Sequence, residues 1–245
     1  MTSTKSPLKI PIFVALDVDD DKFAVKIVEQ TREFVGGFKL GPRLINRYGQ
    51  KLIKDLSESS LVFVDCKFHD IPSTVLSAVQ ATFESGASYA TVHASNGRVC
   101  LTELSALEKK LNQIRYFKIL AVTVLTSFKN GELPKNWSSQ DSFSNVKLLA
   151  EDVHEAGLSG LVCAPTEVEF LRAKYSKMFL LTPGIRPHFE TKNSESRKDD
   201  QARVMGPREA LHAGSSALVI GRPIIEAKNP REAARAICES ISSNE

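Results

Sequence analysis

The chain lacks several features that would each place it in a particular class of protein. It has no long hydrophobic run: none approaches the roughly 20 apolar residues that a membrane-spanning helix requires. Its charge is nearly balanced, with 32 basic and 29 acidic residues and a formal net charge of +3. It therefore has no basic stripe of the kind that binds nucleic acid through its phosphates. We expect neither a membrane nor a nucleic acid as a partner.

Cysteine is also scarce. The four cysteines are isolated in the sequence, with no CxxC pair and no histidine spacing suited to zinc. We therefore expect reduced thiols and no disulfide. The first apolar stretch, IPIFVAL at 10–16, is short and continues into Asp17 without the small-residue cleavage site of a signal peptide. These patterns predict a cytoplasmic protein.

No Pro- or Gly-rich linker divides the 245 residues, which favours one domain spanning residues 1–245. Eight short apolar runs alternate with segments of helical periodicity. The runs lie at 12–18, 36–41, 61–67, 89–95, 117–127, 160–165, 178–185 and 217–223. Eight strand-helix units of about 250 residues in total predict a single (β/α)8 TIM barrel of the α/β class. A doubly wound open sheet is the alternative, because periodicity alone does not show closure.

Two of the intervening segments show clear helix signals. A run of three aspartates at 19–21 suits a helix N-terminus, and the apolar residues that follow it recur at spacings of three and four. Pro72 suits a first helical turn, and Gly86 is placed to end that helix. Each predicted strand is therefore followed by a predicted helix.

In a barrel of this kind, function is located where strands end and the loops to the helices begin. The polar residues of the chain meet this expectation, since they close one apolar run after another. They are Asp17, Lys39, Asp65 with Lys67, His93, Thr126 with Ser127, and Gly221 with Arg222. We therefore predict a functional site at one rim of the barrel.

Asp65 and Lys67 have two interpretations. Side chains of a strand alternate between its faces, so these two share one face while Cys66 points to the helix layer as a small apolar residue. An exposed strand-end ion pair would contribute little. Lys39 and Asp17 at the same level favour an active site, because four charges in a barrel mouth are costly unless mutually paired. A lysine held between carboxylates stays protonated, as an acid requires.

Asp70 belongs to the following loop, where it could serve this site or that of a neighbouring subunit.

The other rim residues also have two interpretations. His93 is more typical of a hydrogen-bonded interior histidine than of a proton carrier, and Thr126 and Ser127 could cap the following segment. Gly221 and Arg222 end a strand where barrels often bind phosphate, which favours a phosphorylated substrate. The polar segment from Arg186 to Gln201 is either a surface loop or a lid that closes over that phosphate.

The chain resembles the orotidine 5'-phosphate decarboxylase family, of the bacterial kind. The matching stretches are VALDV, FKLG, VDCKFHDIPSTV, TVHAS, VTVLTS, GLVCAP, LTPGIRP, DDQARV and VIGRPI, in this order from residue 14 to 224. The combination of D-x-K-x-x-D-I-P with the glutamine and Gly-Arg-Pro elements is highly specific. Ser73 and Phe128 depart from the residues usual in the family, and neither position is catalytic.

The resemblance implies a decarboxylase that converts orotidine 5'-phosphate to uridine 5'-phosphate and CO2, the last step of de novo synthesis of that nucleotide. It implies no cofactor and a homodimer with shared active sites. The implied catalytic residues are Lys67 as proton donor to C6, in an array with Lys39, Asp65 and an Asp70 from the partner subunit.

The resemblance also implies the groups that bind the substrate. Asp17 and Lys39 would hold the ribose hydroxyls beside Asp65, with Asp70, Ile71 and Thr74 reaching in from the partner subunit. Thr126 and Ser127 would line the pyrimidine pocket. The phosphate would be bound by Arg186, Gln201, Gly221 and Arg222, with residues 187–200 as a mobile loop that closes over it.

Two rival functions are open at this level. Magnesium-dependent sugar-phosphate lyases, such as hexulose-6-phosphate synthase, share the D-x-K-x-x-D strand but carry a glutamate metal ligand on the second strand. This chain has Lys39 there, a cation that would repel magnesium, so we predict no metal site. A non-catalytic phosphate-binding barrel is the other rival, but binding alone gives no reason for Lys67.

Overall fold

A computed structural model describes residues 7–128, 132–137, 141–187 and 205–242. Eight parallel strands pair in sequence order, and the eighth pairs with the first, so the sheet is a closed barrel. The strands are β1 (Ile12–Ala15), β2 (Gly37–Leu40), β3 (Leu61–Phe68), β4 (Tyr89–His93), β5 (Lys118–Val122), β6 (Gly160–Val162), β7 (Phe179–Thr182) and β8 (Ala217–Ile220). The predicted TIM barrel is confirmed, and the open-sheet alternative is excluded.

Helices surround the barrel, as the sequence pattern predicts. Those in the described residues are α1 (Asp21–Thr31), α2 (Pro42–Ser57), α3 (Pro72–Glu84), α4 (Arg98–Leu111), α5 (Ser142–Glu155), α6 (Val168–Lys174), α7 (Pro207–His212), α8 (Arg222–Ile225) and α9 (Pro230–Ser242). Asp20 caps α1 by accepting from the Phe23 N–H at 2.9 Å, and Pro72 opens α3. Within the described ranges, no helix has the length and apolar composition needed to cross a membrane.

The inside of the barrel is filled with side chains. Phe13 packs edge-on against Tyr89 at 5.1 Å and against Phe63 at 5.5 Å between ring centroids. Gly37 lies beside this cluster, where a Cβ atom would come 2.6 Å from the Leu61 carbonyl oxygen. Among the described residues, the inside of the barrel is therefore a packed core of side chains.

Strand β3 departs from regular alternation where it reaches the rim. Its pairing register with β4 shifts between Val64 and Phe68. Lys67 has a φ of 49°, and it is the one non-glycine residue with positive φ in the described part of the chain. The prediction that Asp65 and Lys67 share a face assumes a regular strand, and that assumption is wrong at Lys67. Both side chains nevertheless line the same cavity.

Cys66, between these two residues, packs against the hydrophobic cluster outside the barrel, as predicted. Burial, helped by the neighbouring carboxylate of Asp65, raises the pKa of its thiol to about 11. A thiol with that pKa stays protonated near neutral pH and is a poor nucleophile.

Candidate active site at the carboxyl ends of the strands

A cavity of about 480 Å³ opens at the carboxyl ends of the strands. Its apolar floor consists of side chains from β5, β6, β7 and β8, namely Val122, Val162, Leu181 and Val219. Its polar wall on the side of β1 to β3 consists of Asp17, Lys39, Asp65 and Lys67. The cavity therefore places an apolar surface opposite a dense group of charges.

The four charged side chains form one chain of alternating sign. Asp17 Oδ1 lies 3.0 Å from Lys39 Nζ, which lies 3.4 Å from Asp65 Oδ2. Asp65 Oδ1 lies 2.9 Å from Lys67 Nζ. The two inner side chains, Lys39 and Asp65, are 10% and 13% exposed, whereas Lys67 is 37% exposed. The array thus has a buried centre and presents Lys67 to the cavity.

The two inner groups stabilise each other's ionised form. Burial alone would lower the pKa of Lys39, but Asp65 and Asp17 outweigh it and raise that pKa. Burial alone would raise the pKa of Asp65, but Lys39 and Lys67 outweigh it and lower that pKa, helped by a hydrogen bond from Thr91. Both groups are therefore charged at neutral pH.

Thr91, on β4, contacts two members of the array. Its Oγ1 accepts a hydrogen bond from the Lys67 backbone N–H at 2.8 Å and donates one to Asp65 Oδ1 at 3.0 Å. Thr91 is fully buried. Thr91 is not among the residues predicted from the sequence, although its even spacing from Tyr89 and His93 on one strand indicates that it faces inward.

A cationic corner lies on the side of β7 and β8. Arg186 follows β7, Gly221 follows β8, and Arg222 begins α8; all three line the cavity. Arg186 Nη1 donates to the carbonyl of Ile185 at 3.0 Å. Because β8 pairs with β1, this corner lies beside the strand that leads to Asp17. Two guanidinium groups in a cavity provide a site for an anionic group such as phosphate.

Comparison with known proteins assigns the family. The protein-family model described as "Orotidine 5'-phosphate decarboxylase / HUMPS family" matches residues 11–237. The chain belongs to this family. It is 39% identical to the orotidine 5'-phosphate decarboxylase of Shewanella sediminis over 238 residues, covering 95% of this chain and 97% of that protein.

A second relative and a solved structure agree with this family. The orotidine 5'-phosphate decarboxylase of Dictyoglomus thermophilum is 37% identical over 237 residues, which cover 94% of this chain and 95% of that protein. The crystal structure of orotidine 5'-phosphate decarboxylase from Lactobacillus acidophilus superposes with a TM-score of 0.80 at 30% identity, covering 96% of this chain and 100% of that one. The resemblance noted in the sequence is confirmed.

Not all residues implied by the decarboxylase family lie at this cavity. Thr126 lines it, whereas Ser127 is exposed and is not part of its described wall. Asp70, Ile71 and Thr74 are exposed on the outside of the rim, and Asp70 Oδ1 accepts from the Ile71 N–H at 2.6 Å. Gln201 and residues 188–200 of the predicted closing loop lie outside the described residues. The roles implied for these residues stay predictions.

In this member of the decarboxylase family, helix α2 holds the loop that carries Asp17. Arg43 Nη1 donates to the Asp17 carbonyl at 3.3 Å, Arg47 Nη1 donates to the Asp19 carbonyl at 2.9 Å, and Tyr48 Oη donates to the same carbonyl at 3.2 Å. Arg43 also lines the cavity. These residues are not among those predicted from the sequence, although the four-residue spacing of the two arginines on a helix indicates that they share a face.

His93 lies beside the array and is half-buried. Its ring stacks on that of His69, with centroids 5.4 Å apart, and its Nδ1 is hydrogen-bonded to the Ser95 hydroxyl at 2.6 Å. Burial, with His69 and Lys67 nearby, lowers the pKa of His93. These contacts agree with a hydrogen-bonded structural histidine that is neutral at pH 7.

The described residues contain no cluster of three His, Cys, Asp or Glu side chains that could hold a metal ion.

Proposed function

We propose that this protein decarboxylates orotidine 5'-phosphate to uridine 5'-phosphate and CO2, with Lys67 as the proton donor to C6. The observation that carries the proposal is the alternating array of Asp17, Lys39, Asp65 and Lys67, which presents one ammonium group to a cavity whose other side is cationic. Membership of the orotidine 5'-phosphate decarboxylase / HUMPS family supports the same reaction.

In the proposed reaction, the bond between C6 and the carboxylate carbon breaks, and its electron pair stays on C6 while CO2 leaves. The Lys67 ammonium lies at the edge of the cavity and stabilises this developing negative charge. It then transfers a proton from Nζ to C6 and is reprotonated from solvent. Every step uses groups of the chain, the substrate and solvent protons, so the proposed reaction requires no cofactor.

The rest of the array keeps Lys67 charged and in place. Asp65 is 2.9 Å from Lys67 Nζ, and Lys39 fixes Asp65 from the other side at 3.4 Å. Because neither carboxylate nor ammonium has to reorient during the reaction, the positive charge at C6 is preorganised. Asp17 and Lys39 form the outer end of the array, where we assign them to the ribose hydroxyls beside Asp65.

We assign the substrate phosphate to the corner formed by Arg186, Gly221 and Arg222, together with Gln201. The pyrimidine would lie over the apolar floor, next to Thr126 and Ser127. Closure of residues 187–200 over the phosphate would exclude water from the cavity. Binding energy from the phosphate, remote from C6, could thereby contribute to the chemical step.

We also propose a homodimer in which each active site contains residues of both subunits. Asp70, Ile71 and Thr74 follow β3 on the outside of the rim, and Ile71 is 65% exposed. An exposed large apolar side chain next to a carboxylate is typical of a surface that contacts a partner. A second copy placed there would bring its Asp70 to the array around Lys67.

The rival magnesium-dependent lyase is disfavoured by the position of Lys39. Its Nζ lies between the carboxylates of Asp17 and Asp65, at 3.0 and 3.4 Å. The Lys39 ammonium stays protonated at neutral pH because its pKa is raised. It would therefore repel a divalent cation placed between these carboxylates.

The function is tested by incubating the purified protein with orotidine 5'-phosphate in excess EDTA and following the loss of the substrate's ultraviolet absorbance. We expect complete conversion to uridine 5'-phosphate. Turnover of a hexulose phosphate that depends on magnesium, without turnover of orotidine 5'-phosphate, would establish the rival lyase instead.

The shared site is tested by mixing two inactive variants, Lys67→Ala and Asp70→Ala, after dissociation. In a mixed dimer one site carries both substitutions and the other carries neither. With random pairing, about a quarter of all sites regain both residues, and activity returns to that fraction of the wild-type value. No recovery, with mixed dimers demonstrated by mass spectrometry, would show that each chain is self-sufficient.

A further inference from the structure

We propose that Thr91 is a positioning residue for the reaction, because its single hydroxyl group fixes both the backbone of Lys67 and the carboxylate of Asp65. The inference rests on the proposed function and adds to it a residue outside the charged array. Thr91 does not belong to the described wall of the cavity, so it acts through the two residues that do.

The backbone of Lys67 needs such a partner. Its φ of 49° is a conformation that side-chain-bearing residues rarely adopt unless their surroundings impose it. The pairing of β3 with β4 shifts register between Val64 and Phe68, and at this irregularity the Lys67 N–H donates to Thr91 Oγ1 at 2.8 Å. A side-chain hydroxyl thus takes the place that a strand carbonyl has in a regular ladder.

The direction of both hydrogen bonds is fixed by chemistry. A backbone N–H only donates and an ionised carboxylate only accepts, and Asp65 is ionised. The hydroxyl proton of Thr91 must therefore point to Asp65 Oδ1, 3.0 Å away, and its oxygen accepts from Lys67. These two hydrogen bonds together hold the Thr91 hydroxyl group in one orientation.

The contacts close a ring through both ends of Lys67. Its N–H binds Thr91, Thr91 binds Asp65 Oδ1, and the same oxygen accepts from Lys67 Nζ at 2.9 Å. The position of the ammonium group therefore depends on its own backbone through one buried hydroxyl. Thr91 is 0% exposed, so bulk water cannot replace that hydroxyl directly.

The test compares variants that differ in the hydroxyl group. Thr91→Val keeps the shape and removes the hydroxyl, Thr91→Ala removes it without adding a new contact, and Thr91→Ser retains it. Displacement of reacting groups by about 1 Å costs about 100-fold in rate, so we expect kcat to fall by about 10- to 100-fold in the valine and alanine variants while KM stays within about threefold. Serine restores kcat to within about threefold of wild type.

A matched control separates positioning from general loss of a buried hydrogen bond. Thr31 in α1 is also 0% exposed, and its Oγ1 donates to the Ile27 carbonyl at 2.7 Å. We expect Thr31→Val to leave kcat and KM at their wild-type values. A fall in kcat that is equal in Thr31→Val and Thr91→Val, or unchanged kcat in Thr91→Val, would overturn the proposal.

A second measurement needs no substrate. Amide hydrogen exchange, resolved by residue with NMR, should show a protected Lys67 N–H in the wild type and in Thr91→Ser, and loss of protection at Lys67 in Thr91→Val and Thr91→Ala. An unprotected Lys67 amide in the wild type would overturn the role of Thr91 whatever the enzyme catalyses. Absence of wild-type turnover, with Lys67 protected as expected, would overturn the proposed function and leave the hydroxyl's contacts supported.

Discussion

Both ends of the barrel contain a buried carboxylate paired with lysine, but the two sites differ in chemistry. At the amino ends of the strands, Glu108 of α4 lies 3.4 Å from Lys118 Nζ, at the start of β5, and accepts from the Ile119 N–H at 2.5 Å. Lys118 Nζ also donates to the Ser159 hydroxyl at 2.7 Å. This site joins α4 to the start of β5 and to Ser159, the residue before β6. At the carboxyl ends, Asp65 lies between two lysines.

The pKa values of the two carboxylates move in opposite directions. Burial raises the pKa of Glu108, and Lys118 with the Ile119 backbone N–H, helped by a smaller contribution from Lys109, does not offset it. The pKa of Asp65 is lowered because Lys39 and Lys67 together outweigh a comparable burial. The two sites differ in their ion pairs: two lysines lie within salt-bridge distance of Asp65, whereas one lies within that distance of Glu108. Of the two sites, the one around Asp65 presents an ammonium group, that of Lys67, to a cavity where a ligand could bind.

The largest expected effect follows removal of that ammonium. Lys67→Ala should reduce kcat by about 10³-fold or more, since general acid catalysis contributes about 10²- to 10⁴-fold and the positive charge at C6 is lost as well. Thermal unfolding should change little because Asp65 keeps Lys39 and Thr91. Lys118→Met is the matched control at the other end, and we expect it to lower stability while kcat stays at the wild-type value.

The next effect follows neutralisation of the central carboxylate. Asp65→Asn leaves Lys39 and Lys67 without the charge between them, and we expect kcat/KM to fall by about 10²- to 10³-fold in a steady-state assay. Glu108→Gln, the equivalent change at the amino end, should leave kcat/KM unchanged. Equal losses in the two variants would mean that the assay reports stability and not the array.

Acid should affect the two carboxylates in opposite ways. Asp65, with its lowered pKa, contributes stability that is present above the ordinary carboxyl pKa of about 4 and is lost as the pH falls through the folded value. Glu108, with its raised pKa, contributes stability that is present below about pH 4 and is lost as the pH rises through the folded value.

The measurement is denaturant unfolding of wild type, Asp65→Asn and Glu108→Gln as a function of pH. From pH 7 down to about 4, the free energy of unfolding of wild type should rise relative to that of Glu108→Gln. Below about pH 4, the gap between wild type and Asp65→Asn should shrink. Parallel curves for all three proteins would contradict the opposite pKa shifts.

The smallest effect concerns the exposed outer end of the array. Arg47 binds the carbonyl of Asp19 and, at 2.9 Å, its carboxylate, and so holds the loop that carries Asp17. Because this pair is exposed, Arg47→Ala should raise KM only about two- to fivefold, with kcat unchanged. Arg98→Ala, which removes an exposed ion pair with Glu155 between α4 and α5, should change neither constant.

The sequence predicts the barrel well because most strands are near-continuous apolar runs and helices such as α3 have start and stop signals, here Pro72 and Gly86. It also brings Asp17, Lys39, Asp65 and Lys67 to one rim, since parallel strands end on the same side. Periodicity does not report backbone irregularity, so the φ of Lys67 and the register shift were missed. Thr91 and Arg43 were missed because their partners are distant in sequence and are set by tertiary contacts.

In the proposed complex, Lys67 faces C6 of the nucleotide while the cationic corner of Arg186 and Arg222 holds its phosphate. A crystal structure with bound uridine 5'-phosphate tests this most directly. We predict C6 within about 3.5 Å of Lys67 Nζ and phosphate oxygens in hydrogen-bond contact with Arg186 and Arg222. A pyrimidine ring turned so that C6 points away from Lys67, or a phosphate bound elsewhere, would contradict the roles proposed for Lys67 and the two arginines.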